Sequence, residues 1–212
     1  MIVASLLVRN EAGVDRYLRR VLENARSFCD KLVIVDDGST DDTPAICAEF
    51  GTVERLDSDG WWGRDESVAR ALSWRLAAAA AGPDGWVFIF DADHLLEGIT
   101  PPELERLVAG DTVNAWACPL WDAWDSESRH RVDGLWQAWR PESARVWLAK
   151  AQPTSYFVPE WPEAGVHSGH LPANYPVRAG RMPYGAGIRH LGYVNKEHRR
   201  LKRDKYLSCD TH

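Results

Sequence analysis

Polar and acidic residues cluster at three points of the sequence, each directly after an apolar run. The three clusters are Arg9-Asn10-Glu11, Asp36-Asp37-Gly38-Ser39 and Asp91-Ala92-Asp93. Carboxylates gathered at one place repel one another, so such a group favours a bound cation or the donor groups of a ribose and a base. The alternative is that Asp and Gly form ordinary turns, and for residues 36–39 taken alone both interpretations stand.

The third cluster has a spacing suited to a metal-diphosphate site. In an extended segment, side chains two residues apart lie on the same side, so Asp91 and Asp93 can reach one hard divalent ion such as Mn²⁺ or Mg²⁺. Phosphate oxygens would take the remaining positions of the ion, which would neutralise charge on a diphosphate leaving group. The strongly apolar run at 86–90, directly before the pair, strengthens this interpretation.

The elements that would position these clusters alternate between strands and helices. Apolar runs at 2–8, 32–35, 53–56 and 86–90 indicate strands. Helices are predicted from the spacing of Val14, Leu18, Val21, Leu22 and Ala25, from the Thr43-Pro44 start signal, and over about 65–81. This alternation predicts an α/β fold with a mostly parallel, Rossmann-like sheet flanked by helices, whose strands end at one common edge.

The second half of the chain lacks clear periodicity. Residues 116–187 are dense in Trp, Pro and Gly, which predicts loops and short antiparallel strands there. Most of the Trp residues between 116 and 161 are expected to lie in a core, although their faces could also stack on a ligand. Residues 194–207 are predicted to form a final helix whose basic face is solvated.

Composition argues against several classes of protein. A net charge of -6 gives no overall attraction to nucleic acid or to an anionic membrane. Four scattered cysteines without a Cys-x-x-Cys pair argue against a zinc knuckle or a disulfide framework and fit a reducing cytoplasm. The apolar run at 2–8 is too short for a signal peptide or a membrane span. We therefore expect a cytoplasmic protein without stable membrane insertion.

Other nucleotide-binding motifs are missing from the sequence. No Gly-x-Gly-x-x-Gly follows the first strand and no Gly-Lys-Ser/Thr occurs, which disfavours a dehydrogenase and a P-loop enzyme. A nucleotidyltransferase remains an alternative, although residues 9–13 do not supply the Gly-rich, basic phosphate loop that it needs. A catalytically inactive nucleotide-binding protein is the alternative from another class.

Residues 7–11, 32–43 and 88–93 together resemble the family 2 glycosyltransferases of GT-A fold. The resemblance covers about 1–110 and resumes at 188–193, which is similar to a His-x-Gly-Tyr segment found late in some members. It implies a metal-dependent enzyme that moves a sugar from a nucleotide-diphosphate sugar, such as a UDP-sugar or a GDP-sugar, to an acceptor. We expect a single domain, with a nucleotide-sugar-binding half at 1–115 and a small, mixed acceptor-side half at 116–212 that includes the final helix.

The resemblance also implies roles for individual residues. The nucleoside would be held by Val8, Arg9, Glu11 and Asp37, with Asp36 behind them, and Arg64 would precede a helix near the donor. The ribose and the metal-diphosphate would contact Asp91, Ala92 and Asp93, and His190 would be a further metal ligand.

The residue that takes a proton from the acceptor is left open. A carboxylate or His must do this work, and the candidates are Asp122, Asp125, Glu163 and His167. Related members carry a His-Glu pair near 166–170, where this chain has Ser168 in place of the Glu. The acceptor is equally open among a saccharide, a protein side chain, a small metabolite and a modified nucleic acid base. His94 and His170 are expected to be solvated or structural.

Overall fold

The computed structural model describes residues 1–13, 16–56, 59–134, 136–152 and 157–209, so Val14 of the first predicted helix lies outside the described residues. Its strands are β1 Ile2–Val8, β2 Lys31–Asp36, β3 Thr52–Arg55, β4 Trp86–Asp91, β5 His94–Glu97, β6 Ala115–Cys118, β7 Leu120–Asp122, β8 Arg145–Lys150, β9 Ala179–Arg181 and β10 Gly187–His190. Its helices are α1 Leu18–Phe28, α2 Thr43–Ala48, α3 Glu66–Ala81, α4 Pro101–Val108 and α5 Lys196–Cys209.

A seven-stranded sheet forms the centre of the fold, in the order β3-β2-β1-β4-β8-β6-β9. The four strands from β3 to β4 are parallel, whereas β8 runs antiparallel to both β4 and β6. Because β1, β2 and β4 are covered on both faces, their sequences are almost continuously apolar instead of alternating. The predicted α/β fold with a mostly parallel sheet is confirmed.

Helices cover this sheet on its two faces. Helix α1 turns its apolar stripe, which includes Leu18 and Leu22, toward one core that also holds Phe88 and Phe90 of β4. Helix α3 packs Trp74 and its alanines against the other face, in a second core that holds Val3 and Val87. The two cores fix β1 and β4 from both sides and thereby hold their carboxyl ends in place.

The register of the parallel strands brings the three polar clusters together. Val8 at the end of β1 pairs with Asp36 at the end of β2, and Leu7 pairs with Asp91 at the end of β4. The clusters that follow these strands therefore meet at one edge of the sheet, as the strand pattern predicted.

The second half contains more regular structure than its composition indicates. Strands β5, β10 and β7 form a small three-stranded sheet, in which β10 is antiparallel to β5 but parallel to β7. The expected short antiparallel strands are present, since β8 runs antiparallel to β6, but β6 also pairs with β9 in parallel. Strand β5 and helix α4 were not predicted, although the capping box of Thr100 and Glu103 is a readable start signal for α4.

The expectation that most Trp residues between 116 and 161 lie in a core was also wrong. Trp147 is fully buried, whereas Trp116 and Trp161 are partly buried and pack against the two cores. The remaining four, Trp121, Trp124, Trp136 and Trp139, are half-buried. Trp124 and Trp136 instead pack around Tyr193, in a region of the second half where several surface loops meet. No helix in the described part of the chain is long and apolar enough to cross a membrane.

Candidate active site

A cavity of about 980 Å³ lies at the carboxyl ends of β1, β2 and β4. Most of the residues that the sequence singled out line it, namely Val8, Arg9, Glu11, Asp37, Asp91, Ala92, Asp93, His167 and His190. The two halves of the chain both contribute to its wall, so the cavity joins the polar strand ends to the acceptor-side loops.

Asp91 is held in place by a buried ion-pair chain. Arg70 of α3 donates Nη1–H to Asp91 Oδ1 at 2.8 Å, and its Nε and Nη2 donate to Glu66 Oε1 at 3.0 and 2.7 Å. Burial opposes the ionised carboxylate, but the Arg70 guanidinium holds the pKa of Asp91 well below its usual range. The Asp91 carboxylate therefore lines the cavity as a fixed negative charge.

Asp93 faces His190, although the two residues are 97 positions apart. Asp93 Oδ2 lies 3.1 Å from His190 Nε2, and the other ring nitrogen, Nδ1, lies 2.7 Å from Asp122 Oδ1. Burial opposes ionisation of Asp93, but His190 and Lys202 hold its pKa well below the usual range. Burial likewise disfavours a charged His190 ring, yet Asp93 raises the pKa of that ring above its usual value.

A second imidazole, that of His94, completes a cluster of three residues that could hold a metal ion. Asp93, His94 and His190 each offer one ligand atom, and these atoms lie within 4.8 Å of one another. Burial lowers the pKa of His94 to about 3, so the ring is neutral. The backbone N–H of Asp91 donates to His94 Nδ1 at 3.2 Å, which assigns the ring proton to Nε2 and leaves His94 a poorer ligand than His190.

The residues present fit a divalent cation. Carboxylate oxygens with an imidazole nitrogen form a donor set that suits manganese, and the second nitrogen of His190 bonds a carboxylate as metal-bound His residues commonly do. Gly192 leaves this place clear, because a Cβ there would lie 2.3 Å from Asp93 Oδ2 and 2.7 Å from His190 Nε2.

Lys202 of α5 also reaches the cluster. Its Nζ lies 3.4 Å from Asp93 Oδ2 and 3.3 Å from His190 Nε2. The prediction of a solvated basic helix face was wrong for this residue, because α5 folds back over the cavity.

The end of the cavity predicted to hold a nucleoside is formed by β1, β2 and the loop before α3. Asp37 is buried, and its carboxylate accepts the backbone N–H groups of Trp61 at 2.8 Å and Trp62 at 2.9 Å. Arg9 donates to the backbone oxygen of Asp37 at 2.7 Å. Asp36 stands behind and accepts the N–H of Ser39 at 3.1 Å, as a turn residue would. Asp37 therefore organises the loop as well as lining the cavity.

The carboxyl group of Glu11 is partly buried, which disfavours its ionised form. Desolvation by burial raises its pKa from 4.5 to about 7, and Arg16, whose Nη1 lies 3.6 Å from Glu11 Oε2, offsets only part of this effect. The Glu11 carboxyl group is therefore about half ionised near neutral pH.

Besides Asp36 and Asp125, two further predicted site residues, Arg64 and Glu163, lie outside the cavity lining. Arg64 places its guanidinium over the ring of Trp61 at 5.0 Å, while Asp65 next to it caps α3 by accepting the N–H of Ser67. Glu163 is exposed and does not line the cavity. Arg64 therefore packs within the loop before α3, and Glu163 lies outside the cavity.

The four candidates for the proton-accepting residue are separated by their contacts. Asp122 bonds His190, Asp125 bonds Arg199 at 2.5 Å, and Glu163 is outside the cavity. His167 lines the cavity with a positive φ of 64° and packs against the ring of Tyr206 at 5.3 Å. Asp122 and His167 both line the cavity, and Asp122 is engaged by His190, so the geometry leaves His167 as the cavity-lining candidate that does not support His190.

Several site residues were missed by sequence reasoning. They are Glu66, Arg70, His94, His170, Lys202 and Tyr206, all of which line the cavity. His94 and His170 were expected to be solvated or structural, but both contact Asp91: His94 is buried and accepts the Asp91 N–H, and His170 Nε2 lies 3.4 Å from Asp91 Oδ2. The sequence did contain a signal for Glu66 and Arg70, because residues four apart lie on the same face of a helix and can form an ion pair.

Comparison with known proteins identifies a matching family and distant relatives. Residues 6–160 match the model of "Glycosyl transferase family 2". Uncharacterized proteins of Mycobacterium tuberculosis and Mycobacterium bovis are each 29% identical over 210 residues, which is 93% of this chain and 48% of the relative. The chain thus spans about half the length of these curated relatives.

Solved structures share the fold. The crystal structure of S. aureus TarS superposes with a TM-score of 0.61 and 13% identity, over 100% of this chain and 40% of TarS. A crystal structure of TarS residues 1–349 gives a TM-score of 0.57 and 15% identity, over 100% of this chain and 66% of that one. At this identity the comparison shows a common fold and no more.

Proposed function

Because the chain belongs to glycosyl transferase family 2, we propose that its cavity binds a nucleotide-diphosphate sugar with a divalent cation and transfers the sugar to an acceptor. The observation that carries this proposal is the convergence of Asp91, Asp93 and His190 at the end of β4, inside a cavity large enough for such a donor. The family membership supports sugar transfer, and the geometry supports the role of the cation.

The cation would be held by Asp93 and His190, with Asp91 beside them. A divalent ion at this place stabilises the negative charge that develops on a diphosphate leaving group. Arg70 keeps Asp91 ionised and oriented, and Asp122 keeps the Nε2 atom of His190 directed at Asp93. These contacts hold Asp91 and His190 in place before the donor arrives, which limits the reorganisation of these two side chains that transfer would require.

The nucleoside would lie against the ends of β1 and β2. Arg9 donates a hydrogen bond to the backbone oxygen of Asp37, and the Asp37 carboxylate fixes the backbone of Trp61 and of Trp62, which lines the cavity. These groups offer carboxylate acceptors and aromatic faces, which suit the ribose and base of a UDP-sugar or a GDP-sugar.

The acceptor would enter from the second half of the chain. His167 lines that part of the wall, and we propose that it accepts the proton from the attacking group of the acceptor. The acceptor class stays open among a saccharide, a protein side chain, a small metabolite and a modified nucleic acid base.

The decisive experiment incubates the protein with Mn²⁺ and a panel of UDP-sugars and GDP-sugars, and measures nucleoside diphosphate released by hydrolysis. The Asp93→Ala variant should lose at least about 100-fold of this release, the scale expected for a residue that stabilises a leaving group. Asp111→Ala, which removes an exposed carboxylate, is the matched control and should behave as wild type.

Two other products would point to the alternatives. Pyrophosphate released from a nucleoside triphosphate and a sugar phosphate would identify a nucleotidyltransferase. Tight nucleoside diphosphate binding without any turnover would identify an inactive nucleotide-binding protein of this fold. Full hydrolysis by Asp93→Ala would contradict the assigned cation site.

A further inference from the structure

Helix α5 carries a lysine into the position where the cation is expected. Lys202 Nζ lies within 3.4 Å of both Asp93 Oδ2 and His190 Nε2, so the ammonium sits between the two groups that would hold a divalent ion. The Lys202 side chain is 23% exposed, whereas Lys196 at the start of the same helix is an exposed residue. Burial of this ammonium is compensated by the carboxylate that it faces.

The ammonium and a divalent ion cannot both contact these atoms. Each would need the same carboxylate oxygen and the same imidazole nitrogen, and two positive charges a few ångströms apart repel strongly where they are partly shielded from water. The Gly192 backbone closes one side, since a Cβ there would lie within 2.3 to 2.9 Å of all three polar atoms. Lys202 must therefore withdraw before an ion can bind between Asp93 and His190.

A lysine on α5 has room to withdraw toward the cavity. Its side chain is flexible and carries a single point charge, and its Nζ lies 4.8 Å from the ring of Tyr193. Tyr206, one turn further along α5, packs near Trp62 at 6.1 Å and near His167 at 5.3 Å. The helix thus spans the cavity from the cation cluster to the predicted nucleoside and acceptor walls.

We propose that Lys202 occupies the cation position in the ligand-free protein and moves onto the diphosphate of the donor when the cation and donor are bound. In the ligand-free protein Lys202 then competes with the cation, and in the protein with cation and donor bound it assists donor binding. This inference rests on the proposed function, because it takes a nucleoside diphosphate group as the second partner of Lys202. It makes α5 a part of the site whose position depends on what is bound.

Two binding measurements test the exchange without relying on sugar transfer. The first is Mn²⁺ binding to the ligand-free protein, followed by electron paramagnetic resonance of the free ion. Lys202→Met keeps the length of the side chain and removes its charge, so this variant should bind Mn²⁺ about tenfold more tightly than wild type. The second is UDP or GDP binding at saturating Mn²⁺ by calorimetry, where the same variant should bind about tenfold more weakly.

Matched variants separate this exchange from a general charge effect. Lys196→Met makes the same change of net charge on the exposed start of α5 and should leave both affinities within twofold of wild type. Lys202→Arg retains the charge and should keep Mn²⁺ binding weaker than in Lys202→Met. Circular dichroism and a thermal melt of each variant establish that the fold is kept.

The opposite signs of the two effects identify the exchange. Unchanged or weaker Mn²⁺ binding in a folded Lys202→Met variant overturns it, as does a failure of both proteins to bind Mn²⁺. Tighter Mn²⁺ binding with unchanged nucleotide affinity also overturns the second half of the proposal. If both affinities shift as expected but no sugar is transferred from any donor, the exchange stands and the proposed function fails.

Discussion

His190 Nδ1 lies 2.7 Å from the carboxylate of Asp122, and this contact decides which ring nitrogen faces Asp93. Both residues are buried, so the ring cannot exchange this partner for water. Because an ionised carboxylate accepts and does not donate, Nδ1 carries the proton that lies between them. In the neutral ring the Nε2 lone pair then points toward Asp93, where a cation would be bound.

The first prediction concerns this supporting contact. Asp122→Ala should lower the affinity for Mn²⁺ about 10- to 100-fold, the scale found for partners that orient a metal-binding His. The change removes neither Asp93 nor His190, so the ligand atoms remain. Titration of the free protein with Mn²⁺ measures the effect, with Asp111→Ala as the control. An unchanged affinity would show that the ring is held by its packing alone.

The second prediction concerns His190 itself. His190→Ala should raise the manganese concentration needed for half-maximal nucleoside diphosphate release, and wild type should prefer manganese to magnesium, because imidazole suits manganese better. His130→Ala, which removes an exposed imidazole, should leave the manganese dependence unchanged. If His190→Ala keeps the wild-type dependence, His190 belongs to the packing and another ligand completes the site.

The polar strand ends could be predicted from sequence because they depend on local pattern. A buried strand that ends in Asp91 is readable from its apolar run, and the shared edge follows from the parallel order of β1, β2 and β4. The contribution of Asp37 was also readable as a strand-end carboxylate. Its hydrogen bonds to Trp61 and Trp62 were not, because they depend on the path of a loop without periodicity.

The other half of the site depends on contacts between distant parts of the chain. His190 meets Asp93 because β10 pairs with β5, with His190 opposite His94, and Lys202 meets Asp93 across 109 positions because α5 folds back. Nothing in the residues of 194–207 distinguishes Lys202 from its solvated neighbours. The family resemblance indicated His190 but carried no equivalent signal for Lys202.

The third prediction concerns Asp37, which serves both the loop and the cavity. Asp37→Ala leaves the partly buried backbone N–H groups of Trp61 and Trp62 without their acceptor, so the free energy of unfolding should fall by about 1 to 3 kcal/mol. Affinity for UDP or GDP should fall as well, because the wall near Trp61 and Trp62 loses its support. Urea unfolding and calorimetry measure the two effects, with the exposed Asp84→Ala as the control. Loss of stability with unchanged nucleotide affinity would limit Asp37 to a structural role.

The last prediction uses the pH dependence that Glu11 introduces. Since its pKa rises from 4.5 in the unfolded chain to about 7 in the fold, the folded protein binds more protons between these values. The contribution of Glu11 therefore lowers the free energy of unfolding as pH rises from about 4.5 to 7. Above pH 7 this destabilisation is complete and amounts to at most about 3 kcal/mol. Glu11→Gln removes this titration. Its free energy of unfolding, relative to wild type, should increase from pH 5 to pH 8 in urea unfolding, whereas Glu23→Gln at an exposed position should show the same difference at both pH values. A Glu11→Gln difference that does not change with pH would show that the Glu11 carboxylate is ionised throughout, with Arg16 compensating its burial in full.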